Sequence, residues 1–205
     1  MFFKKKTAEE SYESAFNHYK QKQYRSALKH ISNALNKNPN NHRFLILRAN
    51  IYEDGISKEK ALLDYKKAWE IEKHYSTAFR IGYSLMFVNP NPLIAATWCY
   101  TSLTLYKSQR GDTQPLMSVP LNTILYNIGF YLIHIKDQYT IGYAMEFIRK
   151  AALAGHSKAE LLNNAIAQGD YHSLQSYFPT IFEAYDTDLY IKYKMPIGSE
   201  LKPFI

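Results

Sequence analysis

Residues 8–41 read AEESYESAFNHYKQKQYRSALKHISNALNKNPNN, and the fold follows from them. Apolar side chains recur at Tyr12, Ala15, Phe16 and Tyr19, then at Ala27, Leu28, Ile31, Ala34 and Leu35. Steps of three and four residues line one face of an α-helix, so two helices of about 14 residues are predicted. Gln21-Lys22-Gln23 between them is a polar turn. Pro39, inside Asn38-Pro39-Asn40-Asn41, ends the second helix because its ring cannot continue the hydrogen-bond ladder. An isolated helical hairpin cannot bury both of its faces, so it has to stack on another.

The next copy follows at once, from His42 to Tyr75, with Leu45, Ala49 and Tyr52 on its first helix and Ala61, Tyr65 and Ala68 on its second. Ala15 and Ala49, Ala27 and Ala61, and Ala34 and Ala68 are each 34 residues apart. Small residues recurring at one period mark the places where helices approach closely, and a period of 20–50 residues is the signature of a repeat array.

With Ala15, Tyr24, Ala27, Ile31, Ala34 and Pro39 at these positions, the segment resembles the tetratricopeptide repeat. Ser11 and Ser14 depart from it, standing where the family usually has a large aromatic and a leucine; they predict weaker inner packing of the first helix. In the second copy Lys73 replaces the closing proline. A third copy places Ala78, Ile81, Gly82 and Leu85 on its first helix and Ala95, Cys99 and Ser102 on its second, with Asn89-Pro90-Asn91-Pro92 expected to lengthen the turn. Residues 109–120 form a longer loop than the family uses. A fourth pair carries Leu125, Ile128, Gly129 and Leu132, then Ala144, Ile148 and Ala151, across an extended turn from Lys136 to Tyr139.

The run from Lys150 to Ala159, KAALAGHSKA, is similar to a Sel1-like repeat, in which Gly155 closes one helix and Ala159 opens the next. Glycine suits the stop because it takes the left-handed conformation cheaply. Asn163-Asn164 replace that family's Leu-Gly. Tyr171, Leu174, Tyr177, Phe178, Ile181 and Phe182 predict capping helices, and Pro196, Gly198 and Pro203 an irregular tail. The expectation is an all-α solenoid in one domain: repeats at 8–41, 42–75, 76–108 and 121–154, a degenerate Sel1-like and capping segment at 155–185, and a tail at 186–205.

Composition agrees with this class. At 205 residues the chain is little longer than the usual single domain of about 150. Apolar residues at 46% with only 21% charged exclude a disordered tail, and the lone Cys99 excludes a disulfide framework. Residues 81–106 and 113–135 carry no formal charge, but Asn89-Pro90-Asn91-Pro92 breaks the first, and Pro115, Pro120, Asn122, Asn127 and His134 interrupt the second. They read as buried helices of a soluble, cytoplasmic protein. The N-terminus has lysines but no apolar core behind them, as a secretory signal would need.

Catalytic and metal chemistry find no motif. No two of the seven histidines stand four apart around a glutamate, and there is no phosphate-binding glycine loop or nucleophile elbow. Glu53-Asp54 and Asp186/Asp188 read as solvated turns, and Cys99 as a small buried residue. No enzyme activity, cofactor or metal is expected. The net charge of +7 is concentrated at the N-terminus, through Lys4, Lys5, Lys6, Lys20, Lys22, Arg25, Lys29 and Lys37. Those lysines supply an alternative, a nucleic-acid or acidic-surface binder, although no nucleic-acid motif accompanies them.

The tetratricopeptide resemblance implies a concave groove lined by the first helix of each hairpin. Its residues here would be Tyr12, Phe16 and Tyr19; Ile46, Asn50 and Glu53; Phe79, Arg80, Tyr83 and Met86; and Tyr126, Phe130 and Ile133. Three of the four helices present an aromatic pair at i, i+4, which share a helix face. Some members grip a C-terminal carboxylate; of the corresponding positions Tyr12, Phe16, Leu47, Ser76 and Arg80, only Arg80 has the chemistry, so a hydrophobic peptide or helix of another protein is the expected partner. Self-association stays open. So do two bland readings: the rings are core, or the groove is filled by the chain's own tail through Tyr190, Tyr193, Met195 and Phe204.

Overall fold

The computed structural model describes residues 6–109, 118–135 and 138–168. Among these, every regular element is an α-helix: α1 (Ala8–Lys20), α2 (Tyr24–Lys37), α3 (His42–Gly55), α4 (Lys58–Ile71), α5 (Tyr75–Val88), α6 (Pro92–Ser108), α7 (Leu121–Ile133), α8 (Gln138–Leu153) and α9 (Ser157–Ala167). Each packs on its neighbour in sequence, which is the all-α solenoid of helical hairpins expected from the repeat.

Local chemistry sets the boundaries. Thr7 and Glu10 form a reciprocal capping box on α1, with the Glu10 amide 3.1 Å from Thr7 Oγ1 and the Thr7 amide 2.7 Å from Glu10 Oε2. Asn41, Ser57, His74 and Asn91 accept amide protons at the starts of α3, α4, α5 and α6. The turn at residues 21–23 closes by paired bonds, Lys22 N–H to the Tyr19 carbonyl and Gln23 N–H to the His18 carbonyl, with Lys22 at φ 57°. Gly155, at φ 79°, repeats that closure after α8, its N–H donating to the Ala152 carbonyl and the His156 N–H to the Ala151 carbonyl.

Four local expectations need correction. Asn89-Pro90-Asn91-Pro92 does not lengthen its turn: residues 89–91 connect α5 and α6, as many as at 21–23, because Pro92 is the first residue of α6, where a missing amide proton costs nothing. The extra length goes into α6 itself, 17 residues against 14 in α4. In the fourth hairpin Gln138 and Tyr139 already belong to α8. α9 opens at Ser157, two residues before Ala159, because His156 lies ahead of it and its Nδ1 accepts the Ala159 amide proton. Ser11 is not a packing defect: it is 2% exposed and its hydroxyl donates to the Thr7 carbonyl at 2.8 Å. Residues 169–205, with the capping segment beyond α9 and the tail, lie outside the described residues, as do Lys4, Lys5 and most of the 109–120 loop.

The small positions hold the hairpins together. Ala27, Ala61, Ala95 and Ala144 are fully buried, as are Ala34, Ala68, Ser102 and Ala151, about two turns further along the same face of each helix. Between them lie Ile31, Tyr65, Cys99 and Ile148, also fully buried. One apolar cluster runs through α1–α4 and takes in Ile81; a second spans α5–α9. Trp69 of α4 meets Trp98 of α6 edge to face at 5.3 Å, beside the join.

Candidate functional site

A cleft of about 330 Å3 opens on the first-helix face of the second, third and fourth hairpins. Glu53 and Asp54 of α3, Lys58, and Phe79, Arg80 and Tyr83 of α5 form one side. Ser118, Val119 and Pro120, with Thr123 and Asn127 of α7, form the other. Phe79 and Tyr83 sit one turn apart and stack at 6.2 Å; Phe87 extends the row, 5.0 Å from Tyr83 and 53% exposed. The ammonium of Lys58 lies 3.8 Å from the centre of the Phe87 ring and 5.3 Å from that of Tyr83.

Beneath the cleft is a polar network that sequence reading missed. Arg80 Nη1 donates to Glu53 Oε2 at 2.7 Å, and Ser84 Oγ donates to Glu53 Oε1 at 3.0 Å. The Tyr65 hydroxyl reaches Asn50 Oδ1 at 2.6 Å and Glu53 Oε2 at 2.9 Å. Glu53 is therefore not solvated: it lies with Asp54 in the last turn of α3, and its side chain is 4% exposed, whereas Asp54 is exposed as expected. Desolvation by itself would lower the Arg80 pKa, but the Tyr65 oxygen and Glu53 outweigh it and hold the guanidinium above its ordinary value. Burial, with Arg80 opposing and Glu53 reinforcing, keeps the Tyr65 phenol well above its ordinary value. The Tyr19 hydroxyl donates to Asp54 at 2.5 Å; burial first, and then that carboxylate, raises its pKa. Nearby, Arg48 Nε and Nη2 grip Asp64 at 2.6 and 2.7 Å, tying α3 to α4.

The expected groove residues divide accordingly. Phe79, Arg80 and Tyr83 come together in the cleft wall, with Met86 half-buried on the same helix. Asn50 (2% exposed) and Ile46 (3%) lie beneath the surface of α3. Tyr12 is 5% exposed and packs on Phe44 at 5.2 Å; Phe16 stacks on it at 6.5 Å, half-buried, with the Lys20 ammonium 4.1 Å from the Phe16 ring centre. Tyr126 and Phe130 are stacked at 5.9 Å but line no part of this cleft: Tyr126 lies on His156 at 4.2 Å, and Phe130 meets His134 at 4.5 Å. Ile133 is buried. Lys58 and Phe87 were not foreseen, because a cation–ring contact between α4 and α5 is a long-range pairing.

Among the described residues no group of three His, Cys, Asp or Glu side chains is placed to hold a metal ion, and no helix is long and apolar enough to cross a membrane. Burial raises the pKa of the Cys99 thiol far above its ordinary value, so it does not ionise as a reactive cysteine would.

The hairpin geometry and the recurrent small positions are those of a tetratricopeptide-type helical-repeat solenoid. Solved structures that share it include the MamA protein, at TM-score 0.64 and 14% identity over 92% of this chain and 96% of that one, and PilW, a widely conserved type IV pilus biogenesis factor, at TM-score 0.60 and 17% identity over 96% and 97%. No protein-family model and no curated protein matches the sequence. At these identities the likeness is one of fold.

Proposed function

We propose that this chain is a non-catalytic protein-interaction module that receives a peptide segment or helix of a partner in the cleft between α5 and α7. The observation that carries the reading is the composition of the cleft walls. Tyr83 leaves aromatic surface open to solvent opposite Thr123 and Asn127, which can bond a peptide backbone, and Phe87, next to Tyr83 outside the cleft lining, extends that surface. Aromatic anchors on a preorganised element supply most of the energy of such contacts. Arg80 and Tyr83 are the central binding residues. Asn50 supports them through Tyr65, and Phe79 is both wall and core.

Selection of random 12-residue peptides displayed on phage tests this reading, with a cleft-blocked control, Asn127→Arg with Tyr83→Ala. Enrichment of peptides that bind the native chain and not the folded control supports it. Equal enrichment on both, or none on the native chain, overturns it.

A further inference from the structure

The charges around the cleft are unevenly satisfied. Glu53 is held by Arg80, Ser84 and Tyr65, and Asp54 by Tyr19. Lys58 has only the faces of Phe87 and Tyr83; no carboxylate among the described residues pairs with it. At the edge of the cleft the exposed Phe87 ring and the half-buried Tyr83 ring thus lie beside an ammonium that has no ion pair among the described residues. The chemical complement of that edge is a segment in which large apolar side chains alternate with carboxylates and no cation intervenes.

The chain carries such a segment. Residues 181–190 read Ile181-Phe182-Glu183-Ala184-Tyr185-Asp186-Thr187-Asp188-Leu189-Tyr190, with three carboxylates, three aromatic rings and no Lys or Arg. The described chain ends at Gln168, and 37 residues follow it. The 12 residues from 169 to 180 can span up to about 40 Å. α9 packs on α8 and α8 on α7, whose Thr123 and Asn127 form the far wall. Two interaxial steps of about 8–10 Å reach that wall, and two more, through α6, reach α5 with Tyr83 and Phe87, a path of about 40 Å at most.

We propose that residues 181–190 occupy the cleft of the same chain in the absence of a partner, through contact of their carboxylates with Lys58 and of their rings with Tyr83 and Phe87. The inference rests on the cleft being a binding site, and it adds a regulation: a partner segment has to displace the chain's own.

The test uses the full chain and a fluorescein-labelled peptide of sequence 181–190. In a triple variant, Glu183→Lys, Asp186→Lys and Asp188→Lys, the internal competitor is disarmed. If it fills the cleft nine-tenths of the time in the native chain, the peptide binds the variant about tenfold more tightly than the native chain. Adding Lys58→Glu to the variant removes that gain. Zero-length carbodiimide coupling of the native monomer, read by mass spectrometry, joins Lys58 to Glu183, Asp186 or Asp188. Equal peptide affinity for native chain and variant overturns the inference and leaves the cleft as a binding site. Coupling found only between chains, rising with concentration, overturns it in favour of a second copy. If the peptide binds neither protein while phage-selected peptides still bind the cleft, the inference alone fails; if those fail as well on the triple variant, the binding reading fails with it.

Discussion

Arg80 on α5 and Glu53 on α3 form a 2.7 Å ion pair that joins the second hairpin to the third, and the Glu53 side chain within it is 4% exposed. Removing one member of such a pair leaves a buried charge with too few partners. Arg80→Ala is therefore expected to destabilise the fold by about 3–5 kcal/mol. Replacing both, as Glu53→Leu with Arg80→Met, costs far less. Urea midpoints of the two single variants and the double variant check this; additive losses would refute the coupling.

Gly82 and Gly129 sit where one helix meets the backbone of the next. A Cβ on Gly82 would sit 2.8 Å from the Ala95 carbonyl oxygen, and one on Gly129 2.8 Å from that of Ala144. The obstacle is backbone, which cannot swing aside. Gly82→Ala and Gly129→Ala should each cost about 1–3 kcal/mol, although alanine favours a helix elsewhere. Thermal unfolding measures it.

Ser102 occupies the position filled by Ala34, Ala68 and Ala151 in the other hairpins, fully buried, and its hydroxyl has no hydrogen-bond partner among the described residues. An unsatisfied buried hydroxyl costs about 1–3 kcal/mol. Ser102→Ala is accordingly expected to raise the urea midpoint with an unchanged slope.

Acid sensitivity follows from His156, whose pKa is lowered by burial first and by Lys158 next. Its Nδ1 accepts the Ala159 amide proton at 3.3 Å, an acceptor that protonation destroys. A folded-state pKa below the unfolded value of about 6.5 means that the unfolded chain binds the proton more readily, so stability falls as pH drops through and below about 6.5. His156→Asn keeps an acceptor and removes the titration. Comparing urea midpoints at successive pH values from 7.5 downward, the decline should be shallower in the variant than in the native chain.

Phe79 and Tyr83 share one face but not one role. Phe79 is 6% exposed in the α5–α9 core, so Phe79→Ala should cost about 3–5 kcal/mol. Tyr83 is only half-buried, so Tyr83→Ala should leave helicity nearly intact and weaken binding of phage-selected peptides. Circular dichroism and peptide titration separate the two; a Tyr83→Ala chain that folds and binds normally refutes the anchor role.

The alanine period and its caps were legible in the sequence because they are local. Ala15 with Ala27, and Ala49 with Ala61, mark close helix approach within each of the first two hairpins, and Asn41 and Gly155 satisfy backbone groups a few residues away. The polar network was not legible. Glu53 reads as exposed because its sequence neighbours Asp54 and Gly55 are, yet its partners Arg80 and Ser84 are 27 and 31 residues on. The same holds for Tyr126, which looks like an open ring until His156 covers it, 30 residues later.

Helix periodicity, turn chemistry and one recurring spacing thus dictate a stack of hairpins, since the first two act within a dozen residues and the third repeats the same hairpin every 34. Which rings face solvent, which carboxylate is buried, and which lysine is left without a counter-charge depend on how far each hairpin rotates on the next. That rotation is the summed outcome of many small contacts, and only the packed solenoid resolves it.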